Sequence, residues 1–333
     1  MTLQQKDLTD PEAKEHSKTI ENRLRPLRYW LDHGDVVEIA VNRPGEVHVE
    51  WANGRWTKET AGAVKDLQLT HLMHLTNALA HRERVRVDGG LPILRVGLPG
   101  GHRFTAIFGP NVPETGVAIT IRRRRYVSLS LGDYEASERS QVRVLEAVRE
   151  GRPVLISGGT NTGKTTLLNA LMNEVPLSER ILVVEDVREL FPPHGNFVPL
   201  VVSTTGTDNE VGWHHCIDLA TRMRPDRVMA GEGNLEGAYA QLKLMLTGHA
   251  GVGTTIHAND PLTALETWAH NVEMARGTNA ATAMRRLALV LQEGLIVQLG
   301  REQGGRRVLR RVATPEELGL KELVTQGLVG YAG

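Results

Sequence analysis

A glycine-rich loop near the middle of the chain constrains the fold more than any other feature of the sequence. Residues 158–165 read Gly-Gly-Thr-Asn-Thr-Gly-Lys-Thr, a full match to the pattern G-x-x-x-x-G-K-[S/T]. Glycines let such a loop wrap tightly, so that successive backbone N–H groups point at phosphate oxygens. An apolar strand precedes the loop and an apolar helix follows it, which is the context that phosphate binding requires. A glycine-rich turn without a ligand is the weaker alternative.

The loop predicts a nucleotide site whose residues have distinct roles. Lys164 would reach the β- and γ-phosphates, and the Thr165 hydroxyl would hold Mg²⁺. The predicted nucleotide-binding residues are Gly158, Gly159, Thr160, Asn161, Thr162, Gly163, Lys164, Thr165 and Thr166.

The second half of the chain alternates strands with helices. Short runs rich in apolar and β-branched residues predict strands at 154–156, 181–184, 227–230 and 253–256. A helix is expected from Lys164, and Asp260 followed by Pro261 opens another. A further helix should precede the loop, with Val142, Leu145 and Val148 on its buried face. This alternation predicts an α/β fold with a mostly parallel sheet covered by helices.

The first part of the chain predicts a smaller α+β domain. Strands are expected at 36–41, 47–51, 55–57, 103–108 and 117–121, and a helix at 67–81. We therefore divide the chain into a frayed polar arm (1–22), an N-terminal α+β domain (23–126), a linker (127–140) and a domain that carries the phosphate loop (141–333).

Composition excludes several classes of protein. The 333 residues are 41% hydrophobic, which is ordinary for a folded chain, and Cys216 is the single cysteine, so no intramolecular disulfide or four-cysteine zinc site can form. Lys+Arg and Asp+Glu both number 39. This neutral balance argues against sequence-specific nucleic-acid binding. The polar start and short apolar runs predict a cytoplasmic protein with at most peripheral membrane contact.

Reactive side chains follow three of the predicted strands. Glu185 and Asp186 end the second strand, Glu232 follows the third, and His257 follows the fourth. Parallel strands bring their carboxyl ends to one edge, so these groups should lie near Lys164. Glu232 would polarise the attacking water, while Glu185 and Asp186 would support Mg²⁺ with Thr165. The alternatives are capping or solvated carboxylates and, for His257, a hydrogen-bonded core histidine.

Taken together, these segments resemble the hexameric ATPases of type II and type IV secretion, pilus and conjugation machines. The stretch Gly158–Thr166 matches the family's Walker A loop, and Ile181–Leu190 resembles its aspartate box. An atypical Walker B motif, ending in the catalytic Glu232, matches Arg222–Glu232. The histidine box matches 247–251 and 255–259, and Val37–Val47 resembles the opening of the N-terminal domain. The short chain without a tetracysteine motif is most similar to the type IV secretion branch.

The resemblance implies a RecA-like P-loop domain that hydrolyses Mg²⁺-ATP within a homohexamer at the inner membrane. It implies partners among the inner-membrane components of a secretion or conjugation channel, and ATP bound between the two domains of a subunit. Arginines of the N-terminal domain reach the phosphates in this family, and the closest matches are Arg103 and Arg122. With Lys164, Glu185, Glu232 and His257 they complete the predicted catalytic set.

One departure from the family keeps other hypotheses open. The usual arginine after the catalytic glutamate is missing, because Glu232 is followed by Gly233 and Asn234. Either Arg222 or Arg224 compensates, or turnover is slow. A nucleotide-gated assembly scaffold with little turnover, a pilus or type II motor, and a nucleic-acid motor are the alternatives. The arginine run 122–125 is either a solvated face or a patch for anionic lipid.

Overall fold

The computed structural model describes residues 11–83, 87, 92–124, 129–202, 211–248, 251–302 and 305–322, with side chains from residue 18 onward. Two compact units divide the described chain, one formed by residues up to 124 and the other by residues from 129.

The first unit is built on an antiparallel sheet. Its strands are β1 (Val36–Arg43), β2 (Glu46–Trp51), β3 (Trp56–Glu59), β4 (Ile93–Gly97), β5 (Arg103–Phe108) and β6 (Val117–Arg122), in the spatial order β3-β2-β1-β6-β5-β4. Its helices are α1 (Pro11–Leu24), α2 (Arg28–Asp32) and α3 (Leu69–Arg82). Alternate residues of the strands pack with these helices in one core, since one face of each strand is apolar.

Most elements of this unit lie where the sequence predicts them, but its start differs. The expected arm to residue 22 is instead helical over Pro11–Leu24, and residues 1–10 lie outside the described part. Ile20, Leu24 and Leu27 are buried in the core of the unit. Their spacing of four and three residues places them on one helical face, which explains the difference. Strand β4 was not predicted.

The second unit contains a mostly parallel sheet. Its strands are β7 (Val154–Gly158), β8 (Ile181–Glu185), β9 (Phe197–Val201), β10 (Arg227–Ala230), β11 (Val252–Ile256), β12 (Leu295–Arg301) and β13 (Arg307–Ala313), in the order β13-β12-β7-β11-β10-β8-β9. All neighbours are parallel except β12 and β13. The predicted fold class is thus confirmed, while β9, β12 and β13 were not predicted.

Helices cover both faces of this sheet. They are α4 (Glu138–Arg149), α5 (Lys164–Met172), α6 (Trp213–Arg222), α7 (Leu235–Leu246), α8 (Pro261–Arg276) and α9 (Ala280–Val290). Leu155 of β7 packs in the core with α6 to α9, whereas Val154 and Ile156 pack in the core with α4 and α5. Strands buried on both faces need continuous apolar runs, which is why the sequence revealed them.

Two segments before the loop differ from expectation. In α4 the buried residues are Val144, Ala147 and Val148, while Val142 is exposed, so the apolar face is rotated from the predicted one. Within the predicted linker 127–140, Tyr134 is fully buried against the second unit. In the parts of the chain that the structure describes, every helix is too short or too polar to cross a lipid bilayer.

Candidate nucleotide-binding site

The phosphate loop lies between β7 and α5 and has a tightly curved backbone. Asn161 and Gly163 have positive φ angles of 60° and 94°. Such angles are accessible to glycine and tolerated by asparagine, which fits the residue types found there. The Thr162 hydroxyl donates a hydrogen bond to the Gly159 carbonyl (2.9 Å) and closes the loop. Thr160 at its tip is exposed, and Thr165 and Thr166 are half-buried in the first turn of α5.

Lys164 lies inside the loop rather than in solvent. Its side chain is 7% exposed, and its ammonium donates to the carbonyl oxygens of Gly158 and Gly159, both at 3.0 Å. The ammonium also lies 3.1 Å from Nδ1 of His257. Because an ammonium has only donors, the ring nitrogen facing it is the acceptor. His257 follows β11, the strand beside β7, so the parallel pairing brings the two residues together.

Glu232 completes this cluster from the next strand along the sheet. Its Oε1 lies 3.5 Å from Nε2 of His257, a nitrogen that is also 3.5 Å from the Lys164 ammonium. The Glu232 side chain is 34% exposed and that of His257 is 51% exposed, so both face a space open to solvent. The structure therefore brings together Lys164, His257 and Glu232, in that order, at one edge of the sheet.

Glu185 is buried and faces its own loop. Oε1 accepts hydrogen bonds from the backbone N–H groups of Glu189 and Leu190, both at 2.8 Å, and Oε2 pairs with Arg188 at 3.0 Å. Burial raises the pKa of this carboxyl to about 7, against the opposing effects of these N–H groups and of Arg188. In this arrangement Glu185 orders the loop 186–190, and its role in supporting Mg²⁺ stays a prediction.

Asp186 is exposed, and its carboxylate accepts a hydrogen bond from the Val187 N–H (3.0 Å). The described residues contain no cluster of three His, Cys, Asp or Glu side chains able to hold a metal ion by themselves. The role of Asp186 as a metal residue stays a prediction.

Arg103 and Arg122 lie in the first unit on neighbouring strands. The register pairs Arg103 of β5 with Arg122 of β6, and pairs Arg122 with Glu38 of β1. Directly paired residues project from the same face of a sheet, so the three charged side chains form a row. Burial raises the pKa of Glu38, while Arg122 opposes the shift.

Comparison with known proteins shows the family to which the chain belongs. The family model described as "Type II/IV secretion system protein" matches residues 22–303. The VirB11 protein of Rhizobium radiobacter is 32% identical over 269 residues, which cover 72% of this chain and 77% of that protein. The type IV secretion system protein PtlH of Bordetella pertussis is 33% identical over 281 residues, covering 76% and 82%.

The chain belongs to the type II/IV secretion system protein family. Solved structures agree on the fold of this family. The ATPase DotB of Legionella pneumophila superposes with a TM-score of 0.61 at 20% identity, covering 94% of this chain and 84% of DotB. The pilus retraction motor PilT, solved with bound ADP, gives a TM-score of 0.61 at 19% identity, covering 93% and 88%. The predicted family and fold class are confirmed.

The departure from the family pattern after Glu232 has a structural explanation. Asn234 is the N-cap of α7, where its side chain accepts a hydrogen bond from the Gly237 N–H at 2.8 Å. Asn is among the best residues at this position. Arg222 and Arg224 precede β10, whereas Glu232 follows it, so they lie at the opposite edge of the sheet. Within one chain, neither arginine can replace the missing one beside Glu232.

Sequence reasoning missed the polar residues that hold the Glu232 turn. Gln241 is fully buried and donates to the Glu232 carbonyl at 2.9 Å, while its side-chain oxygen accepts from Thr254. Thr255 donates to the Gly231 carbonyl at 2.7 Å. Gln241 lies within the apolar helix α7, and a polar residue at a core position is the signal that could have identified it.

Sequence reasoning also missed Asn169, a polar residue within the apolar helix α5. Its amide donates to the carbonyl oxygens of Thr165 and Glu189, and it accepts from the Phe191 N–H. The phosphate loop helix and the loop after β8 are therefore held together by one side chain.

The histidine box and the arginine run are only partly described by the structure. His249 and Ala250 of the histidine box, and Arg125 of the arginine run, lie outside the described residues. Arg123 does not form a solvated face, because its guanidinium donates to the backbone carbonyls of His33 and Val36 and ties the end of β6 to the start of β1.

Proposed function

We propose that the chain hydrolyses Mg²⁺-ATP and so powers a type IV secretion or conjugation machine. The observation that supports this is the cluster of Lys164, His257 and Glu232 beside the phosphate loop. Nucleotide hydrolysis needs a cation for the phosphates and a group that positions the attacking water. In this proposal Lys164 and Glu232 supply them, and His257 contacts both.

The residues of the loop fit a magnesium-bound triphosphate. The first N–H groups of α5 have no partners within the helix and point toward the loop, which favours a phosphate there. The Lys164 ammonium donates to two backbone carbonyls and would exchange one of them for a phosphate oxygen. The Thr165 hydroxyl would bind the metal. Bound Mg²⁺ would supply neutralisation of the charge that develops on the phosphates.

Glu232 acts on water in this proposal. Its carboxylate is open to solvent on one side and rests against the His257 ring on the other. From this position it can accept a proton from a water molecule and orient that water toward the terminal phosphate. Gln241 and Thr255 donate hydrogen bonds to the backbone carbonyls of Glu232 and Gly231. These bonds hold the backbone from which the Glu232 side chain projects.

His257 connects the two charged residues. The Lys164 ammonium lies 3.1 Å from Nδ1 and 3.5 Å from Nε2 of the His257 ring, and Nε2 also lies 3.5 Å from the Glu232 carboxylate. Movement of Lys164 toward phosphate would change the contacts of this ring, which would link occupation of the loop to the position of Glu232.

The relatives guide the proposal for the assembly. We infer a homohexamer in the cytoplasm, peripheral to the inner membrane, whose partners are inner-membrane components of the secretion channel. The domains 23–126 and 141–333 would close on ATP, with Arg103 and Arg122 approaching its phosphates, and reopen on product release. Glu185 and Asp186 support the loop beside the metal.

The experiment that tests the proposal measures phosphate release and ATP binding in matched variants. Glu232→Gln should lower the rate of hydrolysis by about 10² or more and leave ATP affinity near that of the wild type. Lys164→Ala should lose ATP affinity as well as hydrolysis. Glu236→Gln, which changes an exposed carboxylate in the first turn of α7, is the control and should keep both.

Two outcomes would contradict this assignment. Wild-type hydrolysis in Glu232→Gln would remove Glu232 from the reaction. Tight ATP binding by a wild-type protein that releases almost no phosphate would instead favour the nucleotide-gated scaffold.

A further inference from the structure

An arginine of β13 lies directly against the phosphate loop. A Cβ atom placed on Gly163 would come within 2.8 Å of Arg307 Nε and 2.9 Å of its Cδ, so this side chain crosses over the glycine. β12 is parallel to β7, and β13 is antiparallel to β12. The first residue of β13 therefore lies at the same edge of the sheet as the loop that follows β7.

The Arg307 guanidinium has no partner of its own among the residues that the structure describes. Its Nε is buried there without a hydrogen bond, and the side chain makes no ion pair. Its neighbour Arg306 behaves differently, since it pairs with both Glu135 and Glu302 at 3.2 Å. Arg307 is half-buried, and a buried N–H group costs free energy unless an acceptor replaces the water that it has lost. Its position therefore points to an anion that is bound at the loop.

A buried tyrosine fixes the distance between Arg307 and the loop. Tyr134 is fully buried, and its hydroxyl donates to the Gly163 carbonyl at 2.9 Å. Burial raises the pKa of this hydroxyl, although the charge of Arg307 opposes the shift, so it stays a donor. The next residue, Glu135, donates its N–H to the Arg307 carbonyl at 3.0 Å. One short segment thus binds the backbone of both the loop and β13.

We propose that Arg307 binds the phosphates that are not transferred, at the nucleoside end of the triphosphate. This inference rests on the proposed function of the loop. β12 and β13 lie on one side of β7, while β11 and β10, which lead to His257 and Glu232, lie on the other. The terminal phosphate belongs beside Glu232. A cation that approaches from the β13 side meets phosphates that ATP and ADP share.

The test compares nucleotide affinity in the full-length protein, using fluorescent ADP and a fluorescent non-hydrolysable ATP analogue. Arg307→Ala and Arg307→Gln should each weaken both nucleotides by about tenfold or more, since a charge-assisted hydrogen bond is lost. The two losses should be equal within about threefold. At saturating ATP, the maximal rate of hydrolysis should stay within about threefold of the wild type, because the interaction is the same before and during the reaction.

Arg306→Ala is the matched control, since it removes the adjacent arginine that already has carboxylate partners. Its affinities should stay within about twofold of the wild type. Melting temperatures without nucleotide should agree among the variants. Arg307→Gln keeps most of the aliphatic stem, so it remains informative where Arg307→Ala folds poorly.

Three results would overturn the inference. Unchanged ADP and ATP affinity in both Arg307 variants would remove it from the site, and a loss confined to ATP would place it on the terminal phosphate. Inorganic tripolyphosphate, measured by its displacement of the fluorescent nucleotide, should bind the variants more weakly than the wild type. Equal affinity of tripolyphosphate for the variants and the wild type would assign Arg307 to the sugar or base. Failure of the proposed function looks different, because the wild-type protein would then bind neither nucleotide, or Lys164→Ala would bind them normally.

Discussion

At the scale of single residues, a buried histidine of the first unit contributes to how the stability of the protein depends on pH. His102 is 9% exposed, and its Nδ1 accepts a hydrogen bond from the Arg124 N–H at 3.0 Å. Burial, and then the charges of Arg123 and Arg124, lower the pKa of this ring to about 4, while Asp32 acts in the opposite direction. His102 is therefore neutral in the folded protein at physiological pH.

This arrangement predicts a loss of stability between pH 6.5 and pH 4. In that window the unfolded chain binds a proton at His102 and the folded protein does not, so acid favours unfolding. From pH 7.5 to pH 5 this one residue should cost about 2 kcal/mol. His102→Asn keeps an acceptor for the Arg124 N–H and should lack this part of the loss. Urea unfolding followed by tryptophan fluorescence at both pH values measures the difference.

The matched control for that experiment is His74→Asn, which changes an exposed histidine of α3. Its pH dependence should follow that of the wild type. Parallel curves for the wild type and His102→Asn would mean that other groups cause the acid sensitivity.

At the scale of elements, the sequence predicts strands well where both faces are buried. The runs that form β7, β8, β10 and β11 are fully buried, and each predicted strand lies within two residues of the observed bounds. β9 was not predicted because it is an edge strand that contains Pro199 and is only half-buried. The buried face of α4 was misplaced because Val142 is apolar yet exposed, which periodicity alone cannot distinguish.

Arg227 shows how a charged residue can hold several elements together. Its side chain is 6% exposed at the start of β10, and its guanidinium donates to the carbonyls of Val148 and Arg149 at the end of α4. It also pairs with the carboxylate of Glu179, just before β8, with one contact at 2.9 Å. The residue thus joins three elements at the edge of the sheet opposite the phosphate loop.

Replacing this guanidinium should destabilise the second unit without affecting the site. Arg227→Met removes the hydrogen bonds to the Val148 and Arg149 carbonyls and the ion pair with Glu179, which should cost about 3 kcal/mol. Arg149→Met removes an arginine whose pair with Glu174 is largely exposed, and should cost less than about 1 kcal/mol. Thermal unfolding measures both. Folded Arg227→Met should bind ATP normally; equal stability of the two variants would contradict the role given to Arg227.

At the scale of the whole molecule, the candidate site divides into a part that the sequence predicts and a part that it does not. Lys164, Glu232 and His257 could be assigned together because parallel strands all end at one edge. Arg307 could not, since it begins an antiparallel strand that no motif marks. The Gln241 side chain contacts the site only through the backbone carbonyl of Glu232. No pattern in the sequence shows which carbonyl a buried amide will contact.

Replacing an arginine of the first unit should have a different effect on catalysis from replacing one of the second unit. Arg103 and Arg122 are neighbours across β5 and β6, so each replacement leaves the other cation in the row. If they act on the transferred phosphate, Arg122→Ala should lower hydrolysis by about 10² or more and leave ADP affinity within about threefold of the wild type. Arg307→Ala has the opposite signature, because it weakens ADP and preserves the maximal rate.

Arg55→Ala, in the exposed turn between β2 and β3, controls for loss of an arginine from the first unit. The double variant Arg103→Ala/Arg122→Ala should lose less than the product of the two single losses, because adjacent cations that bind one charge are not independent. Full hydrolysis in both single variants and in the double variant would confine the chemistry to the second unit. The first unit would then act on assembly alone, and the cations for the reaction would have to come from Lys164 and from the metal.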